Sequence, residues 1–125
     1  MHKSFTQHTF ATFEKFFDTV TATIRGAFFQ NKMTPEKFAS SMQVAISMAV
    51  KVASLKDSHT VIFTEAEFKL LKMAYEYQEM DFKSLLPVAD AQTLAIIQGK
   101  LMENRQAFEI LKAHITIQSP VAVNV

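Results

Sequence analysis

The sequence predicts an all-α protein: a four-helix bundle of four to five helices in all, with a short β element from residues 61–63 and the C-terminal tail. Three observations carry this. Two glycines and three prolines in 125 residues are too few to turn a sheet built from hairpins. Apolar side chains recur at intervals of three and four along most of the chain, which is the period of one helix face. Residues suited to cap a helix, namely Thr34, Thr64 and Asp90, stand directly ahead of three of those runs.

The first helix is expected from about Ser4 or Thr6 to Phe29. Phe10, Phe13, Phe17, Val20, Ile24 and Ala27 share one face. Thr12, Thr19 and Thr23 share the neighbouring face with Phe16. Threonine is a mediocre helix former, so packing must hold this segment. Gly26 marks a place where it can stop early.

Thr34-Pro35-Glu36 is a helix start: a capping hydroxyl, a proline at the first helical position and an acid in the first turn. The second helix then reaches about Leu55. Phe38, Met42, Ala45, Ile46, Ala49, Val52 and Ala53 make a wide apolar arc. Ser40, Gln43, Ser47, Lys51 and Ser54 make a narrow polar one, as expected of a helix covered on more than one side.

Lys56 to Thr60 is a loop, and Val61-Ile62-Phe63 is a short β-forming run. Thr64 and Glu67 match a capping box, opening a third helix to about Met80. Phe68, Leu71 and Tyr75 form one apolar face of this helix. Ala66, Leu70, Met73, Tyr77 and Met80 form another, well rotated from the first. Glu65, Lys69, Lys72, Glu76 and Glu79 fill the strip between, with Glu65–Lys69 and Lys72–Glu76 spaced to attract. Two apolar faces need two neighbours, either helices of the same chain or a partner.

Asp81 to Leu86 is a connector with room for a helical turn. Pro87 and Asp90 open a fourth helix ending near His114, with Leu94, Ile97, Leu101, Phe108 and Leu111 as its stripe. Asn104 interrupts that stripe, either as a register-setting residue at a helix seam or at an exposed boundary. In the tail, Ile115 and Ile117 and then Val121, Val123 and Val125 alternate with other residues, which is the period of extended chain. That segment can pair with Val61–Phe63, join another subunit's edge, or fray. The expected division is a bundle domain over residues 1–114 and an extended tail over 115–125.

Composition bounds the function. The chain suits a single domain with a core of its own. Thirteen basic and twelve acidic residues, mixed in sign, with Arg25 and Arg105 the sole arginines, argue against nucleic acid. No cysteine occurs, which removes disulfides, thiolate metal sites and cysteine nucleophiles. The N-terminal residues lack an apolar signal core, and the uncharged stretch Phe38–Val50 is too short to cross a bilayer. A cytoplasmic setting follows as the default.

Motifs of catalysis are missing. His2, His8, His59 and His114 are scattered, with neither HExxH nor ExxH, so no metal site is expected. Gly26 and Gly99 are too far apart for a phosphate-cradling loop. There is no GxSxG elbow. No cofactor and no enzymatic activity are expected.

The expected function is therefore a non-enzymatic protein-interaction module of adaptor, chaperone or inhibitor type that associates with itself as a homodimer or with a protein partner. Its expected contact residues are Leu70, Met73, Tyr77 and Met80 of the third helix and Phe16 of the first. The alternative is a bundle that binds a lipid or other apolar small molecule in a Phe- and Met-lined interior. Membrane contact through the first helix is disfavoured, because its polar face carries Thr in place of a cationic array.

Overall fold

In the computed structural model, which describes residues 7–118, four long helices form the bundle. These are α1 (Gln7–Phe29), α2 (Pro35–Ala53), α3 (Glu65–Ser84) and α4 (Ala91–Ala113). Strand β1 (Val61–Phe63) precedes α3 and strand β2 (Ile115–Ile117) follows α4. Single 3₁₀ turns, Ser54–Lys56 and Leu86–Val88, close α2 and link α3 to α4.

The caps act as the sequence predicts. Thr34 accepts from Lys37 N–H at 3.1 Å and Asp90 from Thr93 N–H at 2.7 Å. Thr64 and Glu67 complete a reciprocal capping box. Such contacts satisfy amides that the first helical turn leaves without partners.

Helix α1 ends where expected, whereas α3 runs past its expected end. Helix α1 runs through Gly26 and ends at Phe29, where Asn31 takes a φ of 58°. Lys32 N–H donates to Ala27 O at 2.9 Å and Asn31 N–H to Phe28 O at 3.1 Å, so a Schellman turn built on asparagine closes the helix. Helix α3 continues past Met80 to Ser84 and absorbs much of the expected connector. The alternating Val121, Val123 and Val125 lie outside the described residues.

Helices α1 and α3 form the central pair, and each packs against all three other helices. The core is filled by Phe13, Phe16, Val20 and Ile24 of α1, Met48 and Val52 of α2, Leu71 and Ala74 of α3, and Phe108 and Leu111 of α4. At its centre Tyr75 stacks on Phe108, with centroids 4.4 Å apart and planes 1° apart, and meets Phe16 edge-on at 6.0 Å. Both arrangements suit the ring quadrupoles. Thr12 and Thr21 are buried at opposite margins of the inward face of α1. Their hydroxyls donate back to His8 O and Asp18 O, so they enter the interior without an unmet hydrogen bond.

The strands pair in parallel, Val61 with Ile115 and Phe63 with Ile117. Of the three fates open to the tail, its first residues take pairing with β1. Phe63 is fully buried and anchors this small sheet to the bundle. Among the described residues, no helix is long and apolar enough to cross a membrane.

Candidate interaction surface

The two apolar faces of α3 meet different fates. Phe68, Leu71 and Tyr75 turn into the bundle, where Leu71 is fully buried and the two rings lie against Phe108. On the second face Leu70 and Met73 are half-buried at the edge of the core. Tyr77 is 38% exposed and Met80 64% exposed. These four residues follow one another at three- and four-residue spacing and so form a straight stripe along the helix. α2 shields one end of the stripe. Nothing within the described chain shields the other as fully.

The shielded end is itself concave. Ser40, Ser41 and Val44 of α2 and Ala66, Leu70 and Met73 of α3 line a groove of about 250 Å³, open to solvent, with Lys37 and Lys69 also on its walls. On one edge of the stripe run Lys69, Glu76 and Lys83 at heptad spacing, with alternating sign. Lys83 pairs with Glu79 at 3.4 Å. Neither Lys69 nor Glu76 belongs to an ion pair among the described residues, and the expected Glu65–Lys69 and Lys72–Glu76 pairs are not formed.

Phe16 is a correction. Expected as a contact residue at the surface, it has no exposed area and lies in the core against Tyr75. The burial of Thr9 and Thr12 beside it explains the difference: the inward face of α1 extends over these threonines, with Phe16 between them.

A second uncharged surface lies on α2. Ile46 is 53% exposed and Val50 65% exposed, and exposed Ala39, Gln43 and Ala53 continue the same line. Of the arcs expected on α2, Ile46 and Ala53 belong to the covered one and Ser47 and Lys51 to the polar one. The structure reverses these roles. Ser47 Oγ donates to Glu67 Oε2 at 2.7 Å and Lys51 Nζ to Glu67 Oε1 at 2.6 Å, with Glu67 itself buried. The signal that would have found this was in the capping box. A carboxylate that must reach back to Thr64 N–H, at 2.8 Å, is drawn toward whatever helix covers that end.

The polar clusters bind helices together. Burial pushes the Glu67 carboxyl up, but hydrogen bonds from Lys51, the Thr64 amide and Ser47 outweigh it, and its pKa lies below the ordinary carboxylate value. A carboxylate so stabilised is a poor base. The Arg105 and Tyr75 hydrogen bonds, followed by that of Lys83 and opposed by burial, hold Glu79 down at about 2. Asn104, buried at 4% exposure, donates to Gln78 Oε1 at 3.1 Å. Gln78 in turn donates to Thr19 Oγ1 at 3.1 Å and Lys15 O at 3.3 Å. This chain ties α4 to α3 and α1, as a residue at a helix seam would. Among the described residues, no group of three His, Asp or Glu side chains is placed to hold a metal ion.

No family model, curated protein or solved structure matches the chain. The stripe on α3 and the groove beside it are therefore read from their own chemistry.

Proposed function

We propose that this protein is a non-enzymatic protein-interaction module, self-associating or bound to another polypeptide, whose contact surface is the Leu70–Met73–Tyr77–Met80 stripe of α3. The observation that carries the proposal is the exposure of Tyr77 and Met80 in line with half-buried Leu70 and Met73, continuous with the α2–α3 groove. Tyrosine and methionine are enriched at interface centres: both present a large contact area, and methionine adapts its shape to a partner. An apolar strip beside a groove between two helices suits an amphipathic helix laid along it. A cytoplasmic setting is part of the same proposal.

The alternative of an apolar ligand in the interior has less to support it. Phe13, Phe16, Phe63, Met48 and Leu71 are fully buried at the positions such a ligand would need.

Site-directed photocrosslinking tests the proposal. A photoreactive phenylalanine analogue in place of Tyr77 is compared with one in place of Gln98, exposed on α4, both in the purified chain and in cells of the native source. The expected outcome is a polypeptide adduct, to itself or to another chain, formed from position 77 and much less from position 98. Equal labelling from both, or no polypeptide adduct from position 77, overturns it.

A further inference from the structure

The charge and size pattern along α3 is self-complementary in one orientation only, and it names a partner for the stripe. Lys69 and Glu76 stand seven residues apart on one edge, about 10 Å along the axis, opposite in sign and outside every ion pair among the described residues. Two copies of a helix related by a perpendicular two-fold axis run antiparallel and bring the same edge of each together. A parallel pair instead brings opposite edges together. On α3 the opposite edge offers no cation to meet Glu76: it carries Asp81, the buried Ala74, and Glu67, already engaged by Lys51.

We infer that the occupant of the α3 stripe is a second copy of this chain, docked antiparallel about a two-fold axis that crosses the stripe between Leu70 and Met73. This inference rests on the proposed interaction role. With the axis there, Lys69 of each copy faces Glu76 of the other, and two ion pairs form on one edge of the seam. Leu70 meets Met73 of the second copy. Tyr77, the bulkiest residue of the stripe, meets Ala66, the smallest. Large against small is the pairing that lets facing helices approach closely. Moving the axis half a heptad toward the C-terminus sets Glu76 against its own copy and Lys69 against Lys83, so charge excludes that neighbouring register.

The test is a charge-reversal cycle read by sedimentation equilibrium on the full chain. The wild type is expected to be a dimer at high micromolar concentration. Lys69→Glu and Glu76→Lys each place like charges across the seam twice per dimer, and each is expected to weaken dimerisation about tenfold. The double reversal is expected to return it to near the wild-type value. Both side chains are exposed on the outer edge of α3, so neither variant threatens folding, which circular dichroism checks. Tyr77→Glu is expected to abolish the dimer.

A dimer indifferent to the reversals, or one that the double reversal fails to rescue, overturns the antiparallel arrangement and leaves the interaction role standing. A monomer at high micromolar concentration overturns the second copy as occupant. Such a monomer, if it still gives a position-77 adduct to a different polypeptide, keeps the interaction role with that other partner. A monomer that gives no adduct overturns both.

Discussion

Lys51 Nζ on α2 lies 2.6 Å from Glu67 Oε1 in the first turn of α3, and that same oxygen accepts from the Thr64 amide at 2.8 Å. One carboxylate therefore closes the start of α3 and fixes it to α2. It also sets the width of the α2–α3 groove, because Ser47, bonded to the other oxygen, sits one turn from Val44. Glu67→Gln keeps the size but loses the charge and turns an amide N–H₂ toward either Lys51 or Ser47. Breaking a buried pair on one side costs up to about 3–5 kcal/mol. Lys51 is one-third exposed, which lowers the expectation here to about 2–3 kcal/mol. Thr64→Ala, which removes only the cap, should cost about 1 kcal/mol. Urea unfolding monitored by circular dichroism gives both values, and equal costs for the two variants would contradict the tie to α2.

The Tyr75–Glu79–Arg105 cluster makes stability depend on pH at both extremes. Arg105 Nε is 2.8 Å and Tyr75 Oη 2.7 Å from Glu79 Oε1. Glu79 is held at about 2, below its unfolded value of about 4.3. A depressed carboxyl stabilises the fold above the unfolded pKa, and that contribution fades as pH falls from about 5 toward 2. Burial, reinforced by Glu79, raises Tyr75 to about 12. A raised phenol contributes fully below about pH 10, and the contribution is lost as pH rises toward its folded value. Urea midpoints measured down an acid series should therefore fall more steeply for the wild type than for Glu79→Gln, the two converging at the acid end. In alkali, Tyr75→Phe should remove the late step of phenolate absorbance. Parallel acid curves for wild type and Glu79→Gln would refute the first expectation, and an unchanged alkaline titration the second.

Asn104 is buried at the seam between α4 and α3, and its value lies in the partner it satisfies. Asn104→Leu leaves Gln78 Oε1 without its donor, and a partly buried carbonyl so stranded costs about 1–3 kcal/mol. Adding Gln78→Leu removes the stranded group, and the broken ends on α1, at Thr19 and Lys15, are close enough to solvent to hydrate. The double variant should recover most of the loss. A thermal-denaturation double-mutant cycle measures the coupling, and strictly additive losses would mean that the two side chains act independently.

Local chemistry was legible in the sequence and lateral packing was not. Thr34, Thr64 and Asp90 cap their helices through amides three residues on, so each carries its instruction with it. The choice of β1 as partner for Ile115–Ile117 needed the arrangement of α3 and α4 between them, which no window of residues contains. Phe16 was misplaced because threonine was counted as polar. Thr12, bonded to its own helix, packs as an apolar residue beside Phe16 and extends the inward face. On α2 the same kind of error arose from Lys51, whose charge suggested solvent until Glu67 provided a counter-ion inside. The stripe on α3 could be read as spacing. That α2 half-covers Leu70 and Met73 but leaves Tyr77 and Met80 outside depends on how the two helices are placed, a tertiary property.

The two glycines stand in helices that make no use of their backbone freedom. Neither Gly26 nor Gly99 has positive φ, and a methyl group added at either meets nothing within 4 Å. Each is an interior helical position where glycine gives up conformational entropy without using it. Gly26→Ala and Gly99→Ala should each stabilise the protein by about 0.5–1 kcal/mol. Asn31, with its φ of 58°, is the opposite case. Asn31→Gly should be neutral or slightly stabilising, whereas Asn31→Ala keeps the Cβ but loses the short polar side chain that eases the left-handed conformation, and should cost about 1 kcal/mol. Thermal unfolding of the four variants sets the signs directly. The decisive member is Gly99→Ala. Helix α4 there is solvent-facing, so a loss of stability in place of a gain would mean that this bare stretch of backbone meets something other than water.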